Sequence, residues 1–240
     1  MRTRPITTLL LLTLAGCITL PASAQKQTDI AASLFGNFTP STTANTEVQT
    51  PASAAGGLLE LRHIFNNYAG LEAAYAYNRA NQMYEDSHIE GLPCPPPGGC
   101  ASQALPTAVS ANAHTITGAW ILSKTMGKLR PYALAGTGAV IFVPSQYSGG
   151  GSIFIRYGVS STTVSPTGPN LTTSATQFLY LFGGGMDWNL SRKIGLRLQY
   201  RFAMYKAPLL ANANLYSGGT AAENNYTRSQ QPALGIYYRF

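Results

Sequence analysis

Charged and polar side chains recur at every second position in several apolar stretches of the chain. In one of them Arg197, Gln199 and Arg201 alternate with Leu196 and Leu198. Successive side chains of a β-strand point to opposite faces, so one face is apolar and the other carries the arginines. Charges inside a protein must be paired and hydrogen-bonded. The sequence therefore predicts an internal ionic network formed by Glu60, Arg62, Glu72, Asp187, Arg197, Gln199, Arg201 and Arg239.

Catalysis is the alternative chemistry for polar residues of this kind. Nucleophilic catalysis needs a base, an orienting acid and a hydroxyl close together in space. The chain has three histidines, and only His88, in the run Glu85-Asp-Ser-His88, has the right residue types beside it. Adjacency within one loop does not make a triad. We therefore predict no catalytic residue, no metal site and no bound cofactor.

The first 24 residues have the pattern of a secretory signal. Arg2 and Arg4 precede an apolar run from residue 6 to residue 20, and Ala22-Ser-Ala24 precedes Gln25. This order of basic start, apolar centre and small-residue cleavage site is typical of a signal peptide. We predict a signal over residues 1–24 and a mature domain over residues 25–240. A competing interpretation is a lipobox in Leu14-Ala-Gly-Cys17, whose cysteine would be lipidated.

Two of the three cysteines lie beyond the predicted signal, in Leu92-Pro-Cys-Pro-Pro-Pro-Gly-Gly-Cys100. An even pair in an exported chain indicates one disulfide, here between Cys94 and Cys100. A zinc site would need four ligands, and His88 with Glu90 does not complete a recognised spacing.

The composition narrows the class of protein. Charged residues make up 10% of the chain, against about a quarter in soluble domains, while hydrophobic residues make up 45%. Beyond residue 24 no apolar run reaches the roughly 18 residues of a membrane helix. The formal net charge is +7, but no Lys/Arg cluster exists, so nucleic acid is not expected as a partner.

The elements that would position the charged residues are eight segments of alternating apolar character. The connections between them alternate between short turns and long runs rich in Ser, Thr, Asn, Gly and Pro. This order is typical of an all-β, eight-stranded, antiparallel up-and-down transmembrane β-barrel. The predicted strands cover residues 29–38, 57–65, 70–79, 109–122, 129–142, 176–190, 193–205 and 229–240.

Aromatic residues fall into two bands, one at each end of the predicted strands, as the interfacial girdles of a membrane barrel do. The band near the short turns comprises Phe65, Tyr68, Trp120, Tyr132, Trp188, Tyr238 and Phe240. The band near the long connections comprises Phe38, Tyr75, Tyr77, Phe142, Phe178, Tyr180 and Phe202.

The chain resembles the OmpA/OmpX-type family of small outer-membrane β-barrels. The resemblance is carried by Gly70-Leu-Glu-Ala-Ala-Tyr-Ala-Tyr77, Arg130-Pro-Tyr-Ala-Leu-Ala-Gly-Thr-Gly138, Gly183-Gly-Gly-Met-Asp-Trp188 and Gly195-Leu-Arg-Leu-Gln-Tyr-Arg201. In that family a terminal Phe with aromatic residues at alternate positions, here Phe240 and Tyr238, directs the barrel to the outer-membrane assembly machinery. The residues that match this signal are Leu234, Ile236, Tyr238 and Phe240. The peptidoglycan-binding domain that follows the barrel in OmpA is not expected here.

The resemblance implies a bacterial outer-membrane location, with both chain ends periplasmic and the long loops extracellular. The expected partners are outer-membrane lipid, lipopolysaccharide and the assembly machinery, while no surface ligand can be read from the loops. The expected function is non-enzymatic, in envelope integrity or surface interaction, because an eight-stranded barrel is filled by its own side chains. A narrow, porin-like channel is the alternative. A lipid-modifying enzyme is the third hypothesis, although His114-Thr-Ile lacks the His-x-Ser expected of the deacylases and no helix is expected before the first strand.

Overall fold

The structure of the chain is a computed structural model. The structure describes residues 27–44, 47–86, 107–148, 153–157, 160–164, 173–208, 210 and 225–240. The predicted signal, Cys17 and the predicted cysteine pair lie outside the described residues.

All the regular elements of the described residues are strands. In chain order they are β1 (Gln27–Asn37), β2 (Thr42–Ala44), β3 (Glu47–Pro51), β4 (Ala54–Ile64), β5 (Ala69–Arg79), β6 (Gln82–Asp86), β7 (Thr107–Ser123), β8 (Leu129–Ser148), β9 (Ile153–Tyr157), β10 (Ser160–Val164), β11 (Ala175–Asn189), β12 (Ile194–Lys206) and β13 (Tyr226–Arg239).

Eight of these strands form a closed antiparallel barrel. The hydrogen-bonded order is β7-β5-β4-β1-β13-β12-β11-β8, and β8 pairs with β7 to complete the ring. The first and last strands meet in the register Asp29↔Arg239 to Phe35↔Ala233. Closure leaves none of the eight strands with a free edge along its paired length. The predicted eight-stranded antiparallel barrel is confirmed.

The short turns are stabilised by their own side chains. Between β4 and β5, Asn66 Oδ1 accepts hydrogen bonds from the backbone N–H groups of Tyr68 and Ala69, both at 2.8 Å. Between β11 and β12, Ser191 Oγ accepts from the backbone N–H of Ile194 at 3.0 Å. Such local bonds are why Asn and Ser favour tight turns. The turn between β7 and β8 contains Gly127 with φ +63°, a conformation that favours glycine.

The strands reach further into the long connections than the alternation predicted. The structure continues β8 to Ser148, and β3 and β6 pair with each other beyond the ends of β4 and β5. These extensions lack a continuous apolar face, so the pattern that marks a membrane strand fails there although backbone pairing continues. Residues 153–157 pair with β10 in a separate two-stranded sheet.

Most of the large apolar side chains of the barrel strands face outward. Leu34, Leu122 and Leu234 expose 77%, 66% and 60% of their surface, while their sequence neighbours point into the barrel. A water-soluble protein rarely exposes such a continuous apolar band, whereas a bilayer requires it. Among the described residues no helix is long and apolar enough to cross a membrane.

Gly136 on β8 provides a test of how closely the strands approach. A Cβ placed there would contact the Gly118 carbonyl oxygen and the Ala119 Cα of β7, whereas a Cβ on Gly118 would meet nothing within 4 Å. We expect Gly136→Ala to lower the free energy of unfolding by about 1–3 kcal/mol, because the neighbouring backbone must move. The measurement is urea unfolding of the refolded barrel. Gly118→Ala on the adjacent strand is the control, and equal stabilities of the two variants would contradict this packing.

Candidate functional site in the barrel lumen

Arg62 on β4 lies at the centre of a polar cluster inside the barrel. Its Nε donates to Glu72 Oε2 at 2.7 Å, and its Nη2 lies 3.3 Å from Glu60 Oε1. Its Nη1 lies 3.6 Å from Asp187 Oδ2 on β11, across the barrel. The side chains of these four residues are 0–3% exposed. One guanidinium therefore joins carboxylates from three strands.

Arg197 on β12 forms the second centre. Its Nε donates to Asp187 Oδ1 and its Nη2 to Asp29 Oδ1, each at 2.8 Å. Its Nη1 lies 3.6 Å from Glu60 Oε2. Asp187 and Glu60 thus contact both arginines and link the two centres into one ionic cluster. We call the six residues Asp29, Glu60, Arg62, Glu72, Asp187 and Arg197 the lumen cluster.

The strand register brings these side chains together. Arg62 lies directly opposite Glu72 on one side and Asp29 on the other, and Asp187 lies opposite Arg197. Facing residues of an antiparallel pair have neighbouring Cβ atoms, so opposite charges at these positions meet without a change of backbone. All six positions belong to the inward series of their strands. The local rule of alternation therefore places the charges, and the closure of the sheet joins them.

Two tyrosines complete the walls of the cluster. The Arg62 guanidinium lies 4.1 Å from the ring centre of Tyr132, and that of Arg197 lies 5.2 Å from the ring centre of Tyr237. Cations over aromatic faces are favourable contacts, particularly where water is excluded. The prediction that placed Tyr132 and Phe142 in the outer aromatic bands is wrong, because both side chains point inward and are buried. Alternation counted from Arg130 puts both on the inner face.

The other predicted network residues have different surroundings. Gln199 Oε1 lies 3.5 Å from Arg62 Nη2, at the edge of the lumen cluster. Arg201 donates to Thr117 Oγ1 at 2.8 Å, and its Nε and Nη1 have no hydrogen-bond partner among the described residues. Arg239 donates to Asn189 Oδ1 at 2.8 Å, near the short turns.

Two buried charged residues were missing from the sequence prediction. Asp29 ion-pairs with Arg197, and Arg130 donates from Nε to Ser123 Oγ at 3.1 Å. Both lie near the ends of their strands, where the alternation is too short to show which residues face inward. For Asp29 the alternation was present in the sequence, because small or polar residues follow it at every second position, Ala31 and Ser33.

The histidines that the structure describes make isolated pairs with hydroxyl groups. His63 Nδ1 lies 2.8 Å from Thr28 Oγ1, and His114 Nδ1 lies 2.8 Å from the Tyr75 hydroxyl. Neither pair includes a carboxylate. His88, Cys94 and Cys100 lie outside the described residues. Within the described part of the chain, no group of three or more His, Cys, Asp or Glu is arranged to hold a metal ion.

The barrel interior is also filled on the side of the long connections. Tyr84 donates its hydroxyl to the Pro208 carbonyl oxygen at 2.9 Å and accepts from the Leu210 N–H at 3.0 Å. Gln49 donates to the same Pro208 oxygen at 2.9 Å. Leu210 and Tyr84 are fully buried. Between these residues and the lumen cluster, a cavity lined by Asn37, Asn78 and Phe142 has a volume of about 20 Å³, close to the size of one water molecule.

A closed sheet with an apolar outside and an ion-paired inside defines a transmembrane β-barrel. The chain belongs to the outer membrane protein beta-barrel domain family, whose model matches residues 8–240. The predicted outer-membrane barrel family and, at this level, the bacterial outer-membrane location are thereby confirmed.

Solved structures of small barrels resemble the chain. Ail, the attachment invasion locus protein of Yersinia pestis, solved in complex with the heparin analogue sucrose octasulfate, is 12% identical, with 90% of this chain and 99% of that chain covered and a TM-score of 0.48. Neisserial surface protein A is 12% identical, with coverages of 90% and 97% and a TM-score of 0.42. Outer membrane protein AlkL is 11% identical, with coverages of 92% and 94% and a TM-score of 0.35. Comparison with curated proteins found no match.

Proposed function

We propose that the protein is a non-enzymatic outer-membrane barrel that serves envelope integrity or surface interaction through its long connections. The observation that carries this proposal is the filled lumen. Arg62 and Arg197 are ion-paired with carboxylates at the short-turn side, and Tyr84 with Leu210 fills the opposite side. A barrel interior occupied in this way stiffens the wall and leaves the loops as the surfaces that meet partners.

The proposed orientation puts both chain ends and the short turns in the periplasm. In this orientation β3, β6 and the outer halves of β7 and β8 project from the cell surface as paired strands. The proposal includes removal of residues 1–24 and a Cys94–Cys100 disulfide in an extracellular connection. Paired strands present a binding surface in a fixed conformation. Less conformational entropy is therefore lost when a partner binds than would be lost by unpaired chain.

Lipopolysaccharide is the proposed lipid partner at the outer rim. Lys206 and Arg228 lie on the outward faces of the adjacent strands β12 and β13, with Met204 opposite Arg228 in the register. Arg79 lies on the outward side of β5 near the same end. Basic side chains above an apolar band suit the phosphate groups of lipid A. The outer-membrane lipid itself covers the apolar band.

An enzymatic role has less support from the site geometry. His63 and His114 each have a hydroxyl neighbour, but nucleophilic catalysis also requires an acid that orients the imidazole. The carboxylates that the structure describes in the lumen are paired with arginines. Unchanged lipid A mass spectra upon overexpression are the expected result, and a modified lipid A species would contradict the proposal.

Conductance measurement tests the filled lumen directly. We expect the refolded protein to show no steady openings in planar bilayers, because an ion would have to displace the lumen cluster and the Tyr84 contacts. A pore-forming porin in the same bilayer is the positive control.

The channel alternative rests on Arg201, whose Nε and Nη1 lack hydrogen-bond partners among the described residues. Steady openings that disappear or change ion selectivity in Arg201→Ala would establish a channel and refute the filled-lumen proposal. Glu60→Ala is a second variant that tests whether any opening passes the cluster.

A further inference from the structure

A polar cup opens at the end of the barrel where the short turns lie. It has a volume of about 360 Å³ and is distinct from the lumen cluster. Its lining contains two arginines, several amides and no carboxylate: Gln27, Ile64, Asn66, Asn67, Thr125, Arg130, Asn189 and Arg239. Because the lining comes from inward-facing strand ends and turns, the cup faces the aqueous side along the barrel axis and not the lipid.

Arg130 and Arg239 are both held in position at this cup. Arg130 is 4% exposed, and its Nη1 donates to Gln27 Oε1 at 3.3 Å. Arg239 donates from Nη2 to Asn189 Oδ1 at 2.8 Å, and its guanidinium lies 5.5 Å from the ring centre of Tyr237. The Nε of Arg239 is buried and has no hydrogen-bond partner among the described residues. An unsatisfied buried cationic donor indicates a place for an acceptor.

The acidic side chains that lie opposite these two arginines in the strand register are paired with another arginine. Asp29 lies opposite Arg239 and Asp187 opposite Arg130 in the strand register, but the 2.8 Å contacts of both carboxylates go to Arg197. The short turns around the cup add cations without acids, namely Lys124, Lys128, Arg192 and Lys193. The potential at this mouth therefore favours an anion.

We propose that the cup binds a small soluble oxyanion, carrying a carboxylate or a phosphate group, between Arg130 and Arg239. Guanidinium groups present planar pairs of donors that match both oxyanions. The amides of Asn66, Asn67 and Asn189 supply further donors at the cup wall. This site is independent of the proposed role of the loops, because it lies at the opposite end of the barrel.

The test uses the full chain refolded in a non-ionic maltoside detergent. Inorganic phosphate and acetate are titrated separately at constant ionic strength, and binding is followed by calorimetry and by the backbone amide shifts of Asn66 and Asn67. We expect saturable binding of at least one anion, and about tenfold weaker binding in Arg239→Gln, because one charge-assisted contact is lost. Arg239→Lys keeps the charge but loses the planar pair of donors. Its anion affinity should lie between those of the unaltered protein and Arg239→Gln.

Lys193→Gln is the matched control, because it removes a cation from the same end but not from the cup lining. Its affinity should equal that of the unaltered protein. Two outcomes would overturn the proposal: neither anion saturates the site, or Lys193→Gln weakens binding as much as Arg239→Gln does, which would indicate diffuse attraction. Binding of phosphate alone or of acetate alone supports the site and identifies its ligand class. Arg239 does not belong to the lumen cluster, so we expect Arg239→Gln to fold. Heat-modifiable migration verifies that it does.

Discussion

Replacement of Arg197 by methionine is expected to destabilise the barrel by about 3–5 kcal/mol, because removing one partner of a buried ion pair leaves the other charge uncompensated. Arg197 is fully buried, and its guanidinium contacts Asp29, Asp187 and Glu60. Methionine matches the arginine side chain only as far as Nε, so the loss combines charge pairing with the volume of the rest of the guanidinium. Urea unfolding of the refolded protein, followed by tryptophan fluorescence and by heat-modifiable migration, is the measurement.

Arg228→Met is the matched control for this prediction. Arg228 is an exposed arginine on the outward face of the adjacent strand, and its replacement should change the stability by less than about 1 kcal/mol. Asp29→Asn and Asp187→Asn, added to Arg197→Met, should restore part of the loss because they remove the orphaned charges. Equal stabilities of Arg197→Met and Arg228→Met would show that the lumen cluster contributes little to folding.

Alternation along single strands made most of the inner face predictable. Glu60, Arg62 and Glu72 stand at every second position of long, clean apolar runs, and a one-residue slip would put all of them in lipid. The same reasoning did not reach Asp29, because the first strand has only a short polar series and its predicted start fell on that residue. Strand ends are the positions where a period of two is least constrained.

The pairing of the charges could not be predicted in the same way. Partner choice depends on which strands become neighbours when the sheet closes and on the stagger between them, and neither quantity is local in sequence. Arg201 illustrates this point. It has the same inward phase as Arg197, four residues away, yet it donates to Thr117 while Arg197 takes three carboxylates. The face on which a side chain lies is set within one strand, whereas the partner that it contacts is set by how all the strands of the barrel come together.

The C-terminal strand raises a different question, because its apolar residues could serve either stability or delivery. Leu234, Ile236, Tyr238 and Phe240 all point outward, and Phe240 exposes 74% of its surface. Phe240 contributes one backbone hydrogen bond, from its N–H to the Thr28 carbonyl oxygen at 3.0 Å, and an edge contact to the Tyr238 ring. These contacts are few for the folded barrel to lose, so an effect on assembly in the cell would have to come from recognition of the strand.

Deletion of Phe240 is therefore expected to separate assembly from stability. The refolded variant should lose no more than about 1–2 kcal/mol, because one backbone hydrogen bond and one exposed ring are removed. In cells, the amount of heat-modifiable barrel in the outer membrane should fall severely if the assembly machinery reads this residue. Immunoblots of unheated and heated membrane samples give the ratio of folded barrel to total protein.

Leu198→Ala provides the comparison that makes this result decisive. Leu198 lies directly opposite Leu234 on β12 and has a similar exposed fraction, so its truncation removes lipid-facing apolar surface outside the predicted signal. We expect this variant to assemble normally in cells. Normal assembly of the Phe240 deletion would refute the predicted assembly signal. An equal failure of Leu198→Ala would show that lost lipid contact, and not recognition of the last strand, limits assembly.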